Sequence, residues 1–507
     1  MKKNQMDMVP KLFELPSRLG MHITVLGLFT VIILFMTLLL HPLSYDDPYI
    51  TYRYAYNILQ GQGFVYNNGE HVLSTTTPLY TLLLAVLGFF HRDLPSLGNI
   101  MSILSILACA MTLYFFGRQL GQARAGAIAG FLTLFFPLLW TTLGGEAALY
   151  SLAILASFAF YARGALELTA ACMAVAVLTR PDGALVALII GTHYLLTKHR
   201  VPWRLIRIYL SLAIPWYLYA WWRFGSPVPV TLHTKLNQAH IAGIWTFGEG
   251  LLRMAELYGQ NPCYWFYLLF SLIGVGSVLL TSKRQKLLPL ISWLVLYCLS
   301  FTCLAVVGHH WYYAPIVPPL MLLVALGLEV PWRWLVTGRS WGQRLQAKPV
   351  PKFAIWGAVV LLLIYPDTYW LRDAYLNPLP DGRTRVYREV GVWLAESAPP
   401  EASIGAVEIG IIGYYSNRRV IDFAGLLQPE VIDHLGTYEQ GAIWATRVYS
   451  PTYVVANPGW FPKLFGSDWF QKAYSPVREF SHDRYEHSPI VVYANRCKTD
   501  KGECTIQ

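Results

Sequence analysis

The run Ser44-Tyr45-Asp46-Asp47-Pro48-Tyr49-Ile50-Thr51-Tyr52-Arg53 follows closely on an unbroken apolar stretch from Met21 to Leu40. An apolar helix of that length spans the roughly 30 Å hydrocarbon core of a bilayer and is too long for the core of a secretory signal. Lys2, Lys3, Lys11 and Arg18 precede it. Basic flanks stay cytoplasmic, so the stretch reads as an uncleaved anchor, with Asp46 and Asp47 emerging on the far side. Adjacent carboxylates repel, so at least one needs a cation, a hydrogen-bond donor or a substrate proton beside it.

Composition extends the membrane reading to the whole chain. With 507 residues, 55% hydrophobic and 13% charged, the apolar surface exceeds what one water-soluble core can hide, and an α-helical polytopic membrane protein is expected. Further apolar runs lie at about 78–90, 99–117, 125–143, 147–162, 165–178, 184–196, 205–222, 263–281, 287–307, 313–330 and 353–366. The net charge of +10 collects in short loops, around Arg118/Arg124, Arg163, Lys198/Arg200/Arg204, Lys283/Arg284/Lys286 and Arg333 to Lys352. These mark cytoplasmic turns; no basic face with interleaved aromatics points to nucleic acid. The 78–90 run is among the shortest and is expected at the outer interface, leaving about 11 crossings within an expected range of about 11 to 13.

From Asp367 the chain turns charged, with β-like runs at Ser403–Val407, Arg419–Ile421, Tyr453–Ala456 and Ile490–Tyr493 and a helix-like run at Val386–Glu396. The expected organisation is a membrane domain over 1–366, with a first outer loop at 42–77, and an extracytoplasmic α/β domain over 367–507. Seven cysteines exclude a disulfide scaffold. Cys497 and Cys504 can pair if their end faces an oxidising space.

Several ionisable residues share the outer face in this topology. Glu146 suits either a helix N-terminal acid favoured by the dipole or a second active-site acid. Arg180 suits a snorkelling side chain or a phosphate clamp. A proline-stiffened loop delivers His233 and Lys235. His309-His310, followed by Trp311, fits an aromatic interfacial belt or a lipid-phosphate contact. Together with Asp46 and Asp47 they suit a reaction between an anionic lipid head group and a hydroxyl acceptor, with a divalent cation (Mg, Mn or Ca) on the Asp46–Asp47 pair as an option. A transporter or lipid flippase is the alternative; it would carry ionisable residues at mid-membrane and show symmetric broken helices.

The pattern Asp46-Asp47-x-x-Ile50-x-x-Arg53-x-Ala55-x-Asn57, then Gly61-x-Gly63-x-Val65-x-Asn67-x-Gly69-Glu70 and Thr77-Pro78, resembles the first outer loop of polytopic GT-C glycosyltransferases, most closely the mycobacterial cell-wall arabinofuranosyltransferases. Gly145-Glu146-x-Ala148-Leu149-Tyr150, Thr179-Arg180-Pro181-Asp182-Gly183 and Phe224-Gly225-Ser226-Pro227-x-Pro229-x-Thr231 are similar to later family motifs. The resemblance implies a GT-C fold and inverting transfer of a sugar from a polyprenyl-phosphate donor to a glycan, lipid or protein acceptor at the outer face of the cytoplasmic membrane. By position it implies Asp46 as base, Asp47 as its partner or a cation ligand, Arg53, Arg180 and Lys235 toward the donor phosphate, and Glu146 as a second acid. Val230 stands where the family pattern has Asn, and Ser74-Thr75-Thr76 replaces a Glu-Gly-Tyr-Thr type of ending, so arabinose is not implied as the sugar.

Overall fold

The computed structural model describes residues 14–40, 45–239, 241, 243–281, 284–337, 349–376, 382–487 and 489–499. Cys504 lies outside them. Helices occupy the apolar runs: α1 Glu14–Leu39, α2 Asp47–Leu59, α3 Pro78–Gly88, α4 Leu94–Gln119, α5 Ala123–Phe135, α6 Pro137–Trp140, α7 Ala147–Arg163, α8 Leu166–Thr179, α9 Ala184–Lys198 and α10 Trp203–Phe224. After α11 Val230–Gln238 and α12 Phe247–Gly259 come α13 Pro262–Leu279, α14 Arg284–Cys303, α15 Val317–Thr337 and α16 Pro349–Leu376. Among the described residues, five helices are long and apolar enough to cross a membrane, including Leu19–Leu39, Leu94–Gln119 and His310–Arg333. α3 has 11 residues, about 16 Å at 1.5 Å per residue, well short of the hydrocarbon thickness.

Three details depart from the apolar pattern. The run expected at 125–143 breaks at Phe136, which is extended (φ −70°, ψ 120°) before Pro137, because a residue preceding proline is pushed out of the helical region. Helix α12 lies in what reads as loop; a capping box between Thr246 and Glu249 starts it. Helix α16 continues past the boundary at 366/367 to Leu376. Asp367, the first polar residue of that expected boundary, is buried and accepts a hydrogen bond from the Tyr264 hydroxyl at 2.8 Å.

Close helix packing rests on small residues. α13 and α15 cross at Gly274 and Gly327; a β-carbon on the first would overlap the Leu323 carbonyl, and one on the second the Phe270 carbonyl. Apolar helices in lipid gain little from further burial, so close backbone approach of this kind carries their association.

Beyond α16, helix α17 Gly382–Ser397 leads to a five-stranded sheet in the order β2-β1-β3-β5-β4. β1 Ser403–Ala406, β2 Arg419–Asp422 and β3 Tyr453–Ala456 are parallel; β5 Ile490–Asn495 and β4 Tyr474–Phe480 pair antiparallel at one edge. Helix α18 Gly410–Ser416 connects β1 to β2, and α19 Tyr438–Tyr449 connects β2 to β3. The core of this sheet region is continuous with α2 and α3: Tyr49, Tyr52, Tyr80 and Leu84 form one buried cluster with Val386, Ile404, Ile411 and Val492.

Candidate active site

Proline at the second position of α2 fixes the start of that helix and sets the two acids on different sides. Asp46, just before the helix, is buried and points into the C-terminal domain. Its Oδ2 accepts from the Gly410 amide at 2.7 Å and its Oδ1 from the Ile411 amide at 2.8 Å. These are the first two residues of α18. Gly410 is required by the approach, since a β-carbon there would overlap the Asp46 carbonyl. Burial pushes the Asp46 carboxyl up to about 6, the two amides opposing.

The rest of the first loop is tied to the same domain. Arg53 donates to the carbonyls of Tyr66 (3.3 Å) and Gly413 (3.2 Å) and to the Asn417 side chain. The Tyr66 hydroxyl donates to the Ile409 carbonyl at 2.6 Å. Asn67 pairs with the Val420 backbone in both directions, at 2.8 and 2.9 Å, and Arg419 bridges to Glu70 at 2.7 Å.

Asp47 faces the other way, into a cavity of about 360 Å³. Thr51 and Ser74 to Thr77 of the first loop, Glu146, Arg180 and Asp182, Pro229 and Lys235, Trp311 and Tyr312, and Leu426 are among the residues that line it. Lys235, nearly buried, has its Nζ 3.8 Å from Asp47 Oδ2 and 3.0 Å from His309 Nε2. Burial, with the nearby ammonium adding to it, holds His309 well below the usual imidazole range. The ring is therefore neutral, and its Nε2 accepts a hydrogen bond from the lysine ammonium. It lies flat on Trp311, centroids 4.3 Å apart.

Arg180 is held by carboxylates and rings. Its Nε donates to Asp182 at 3.0 Å, its Nη1 reaches Glu146 at 3.4 Å, and its guanidinium stands 5.1 Å from the Tyr150 ring centre and 4.8 Å from that of Tyr312. Burial raises the Glu146 carboxyl, with Arg180 opposing.

The structure thus brings Asp47, Glu146, Arg180 and Lys235 to one cavity, with His309 behind the lysine. It does not bring Asp46 or Arg53 there, because backbone groups of the C-terminal domain occupy both. His233 is exposed on α11, and His310 bonds the Thr141 carbonyl at 3.2 Å and packs against Tyr45. The Asp46–Asp47 pair does not converge on one point, and among the described residues no group of three or more His, Cys, Asp or Glu side chains could hold a metal ion. The donor set therefore does not fit a divalent cation at that pair.

Sequence reading missed three acids. Asp182 sits inside a quoted motif but was not singled out, although it anchors Arg180. Asp422, at the end of β2, accepts from the amides of Ala424, Leu426 and Leu427, which fixes the turn that places Leu426 in the cavity wall. Glu408, between β1 and α18, has its carboxyl raised to about 8 by burial and by Asp46, with Arg383 opposing. No local signal marks Glu408 or Asp422, because their surroundings are assembled from distant segments.

Comparison with known proteins agrees with the architecture. A family model described as a domain of unknown function, DUF8728, matches residues 377–496. No curated protein matches the sequence. Among solved structures, ArnT from Cupriavidus metallidurans bound to undecaprenyl phosphate is similar at a TM-score of 0.59 and 14% identity, covering 94% of this chain and 98% of that one. The Archaeoglobus fulgidus oligosaccharyltransferase in its apo form is similar at 0.62 and 13%, covering 92% of this chain and 74% of that one. The same archaeal protein, AglB, has been solved with an inhibitory peptide and a dolichol-phosphate, at 0.60 and 14% over 94% and 74% of the two chains. Identities this low speak for a shared fold alone.

Proposed function

We propose that this chain is a membrane-bound glycosyltransferase moving a sugar, with inversion, from a polyprenyl-phosphate donor to a hydroxyl of a glycan, lipid or protein acceptor at the outer face of the cytoplasmic membrane. The observation that carries the reading is the cavity itself: a carboxylate, a lysine and an arginine from separate segments converge there, within a fold shared with a protein solved bound to undecaprenyl phosphate.

In this reading Asp47, not Asp46, is the base. Its carboxylate accepts the acceptor hydroxyl proton as that oxygen attacks the anomeric carbon. The bond from that carbon to the phosphate oxygen breaks, and the lipid phosphate leaves with the electron pair. Lys235 and Arg180 face the departing phosphate, where fixed cations in a dry site stabilise developing charge without reorganising. The long Nη1–Glu146 contact is the one Arg180 exchanges for phosphate, while Asp182 keeps the guanidinium in place. Asp46 and Arg53 hold the C-terminal domain down on the first loop. No step is assigned to a divalent cation. A transporter or flippase is less well supported, because these ionisable groups gather among the loops at one end of the helices.

General-base assistance is worth roughly 10²- to 10⁴-fold. Asp47→Asn in proteoliposomes supplied with a polyprenyl-phosphate sugar is therefore expected to lose at least about 10²-fold in transfer rate while retaining donor binding. Transfer at the wild-type rate by that variant would sink the assignment.

A further inference from the structure

A second cavity, of about 610 Å³, lies between α4 and α7 at the ends of those helices farthest from the cavity around Asp47. Thr112, Phe115, Phe116 and Gln119 line it from α4, and Ala156, Ala159, Phe160 and Arg163 from α7, with Arg118 at its rim. The spacing of three and four residues on both helices makes each set one continuous face. Glu146 immediately precedes α7 and Arg163 ends it, 17 residues later. Arg163, at the cationic end of this groove, therefore stands about 25 Å from Glu146 along the helix axis.

The groove is apolar along its length and cationic at one end. Among the described residues, neither Arg118 nor Arg163 has a carboxylate partner; Arg118 rests on the ring nitrogens of His22, and Arg163 is exposed. The Gln119 Nε2 in the same wall is buried without a hydrogen-bond partner. An amide donor and two unneutralised guanidiniums above a phenyl-lined slot present the complement of a phosphate attached to an acyl chain.

We propose that this groove is a binding site for an anionic glycerophospholipid, with its phosphate on Arg118, Arg163 and Gln119 and one acyl chain laid over Phe115, Phe116 and Phe160. A donor lipid is the poorer occupant, because a phosphate seated here stands a full helix length from Asp47 and Lys235. The site is independent of the proposed transfer reaction.

The test is lipid retention by the purified full-length protein, delipidated in detergent and measured by native mass spectrometry. The probes are phosphatidylglycerol, phosphatidylcholine with the same acyl chains, and undecaprenyl phosphate. Two arginines near a lipid phosphate favour the anionic lipid by about 30-fold. The Arg118→Gln/Arg163→Gln variant is expected to lose that preference. Since Arg118 also contacts α1 through His22, Arg163→Gln alone serves as the second variant, expected to lower the preference about 5-fold with an unchanged thermal midpoint. Equal retention of phosphatidylglycerol and phosphatidylcholine, a preference that survives the double variant, or displacement of phosphatidylglycerol by equimolar undecaprenyl phosphate would each overturn the proposal.

Discussion

Asp46 and Asp47 are neighbours in sequence with opposite surroundings. Both oxygens of Asp46 are satisfied by amides at the start of α18, whereas Asp47 meets one cation across 3.8 Å. Hydrogen bonds to a charged group contribute about 1.5–3 kcal/mol each. Asp46→Asn turns one acceptor into a donor facing an amide N–H, so it is expected to weaken docking of α18 by a comparable amount. Hydrogen exchange at Gly410 and Ile411 should accelerate at least about tenfold, in line with that energy. Asp47→Asn should leave exchange unchanged and slow transfer by at least about 10²-fold. If instead Asp46→Asn abolishes transfer with α18 still protected, the two acids have been given each other's roles. The adjacent carboxylates and their location after an anchor were legible in the sequence. Which of them faces the cavity was not, because Asp46's partners lie 364 and 365 residues away.

At the scale of elements, long apolar runs between basic loops marked the helices from α4 to α16 except α11 and α12, with α5 and α6 read as one run, since a bilayer leaves the backbone little choice but to satisfy itself in a helix. Four of the five strands fall on the β-like runs read from sequence. β4 escaped: its interior is mostly exposed and carries Pro476 and Arg478 at a register shift, which hides the alternation. Two element-level predictions follow from packing. Gly327→Val drives side-chain atoms into the α13 backbone, and overpacking of that kind costs about 1–3 kcal/mol; the thermal midpoint in detergent should fall. Gly276→Ala, on α13 where nothing lies within 4 Å, should leave it unmoved. An equal effect of both would discount the crossing at Gly274 and Gly327. The junction of β1 and α18 should respond to pH. Glu408, facing Asp46, Asp47, Arg383, Lys235, Tyr387 and Tyr438, has a folded carboxyl raised from 4.5 to about 8. A raised acid favours the docked state while protonated. Its contribution is therefore complete below 4.5 and is lost as pH climbs through 8. Protection of α18, corrected for intrinsic exchange, should decline across that window, and Glu408→Gln should flatten the decline. A slope unchanged in Glu408→Gln would assign the titration to another group.

At the scale of the whole molecule, the cavity belongs to neither region alone. The first loop supplies Asp47, α11 supplies Lys235, and the turn held by Asp422 supplies Leu426; the Thr234 hydroxyl, one residue before the lysine, donates to the Gly425 carbonyl at 3.3 Å. A boundary drawn from composition separates these parts, yet one buried cluster runs from Tyr49 and Tyr80 to Ile404 and Val492. Burial of that kind is non-directional and survives a cut in the chain, provided both pieces present their faces. Fragments 1–376 and 377–507 produced together are accordingly expected to co-purify from detergent, and the complex to regain transfer activity that neither fragment shows alone. Asp46→Ala with Asn67→Ala removes four hydrogen bonds to α18 and β2 and should weaken co-purification while leaving the expression of each fragment intact. Activity in fragment 1–376 by itself would mean that the cavity closes without the C-terminal domain. Folded fragments that fail to associate would mean that covalent linkage, rather than the shared core, holds Leu426 over Asp47.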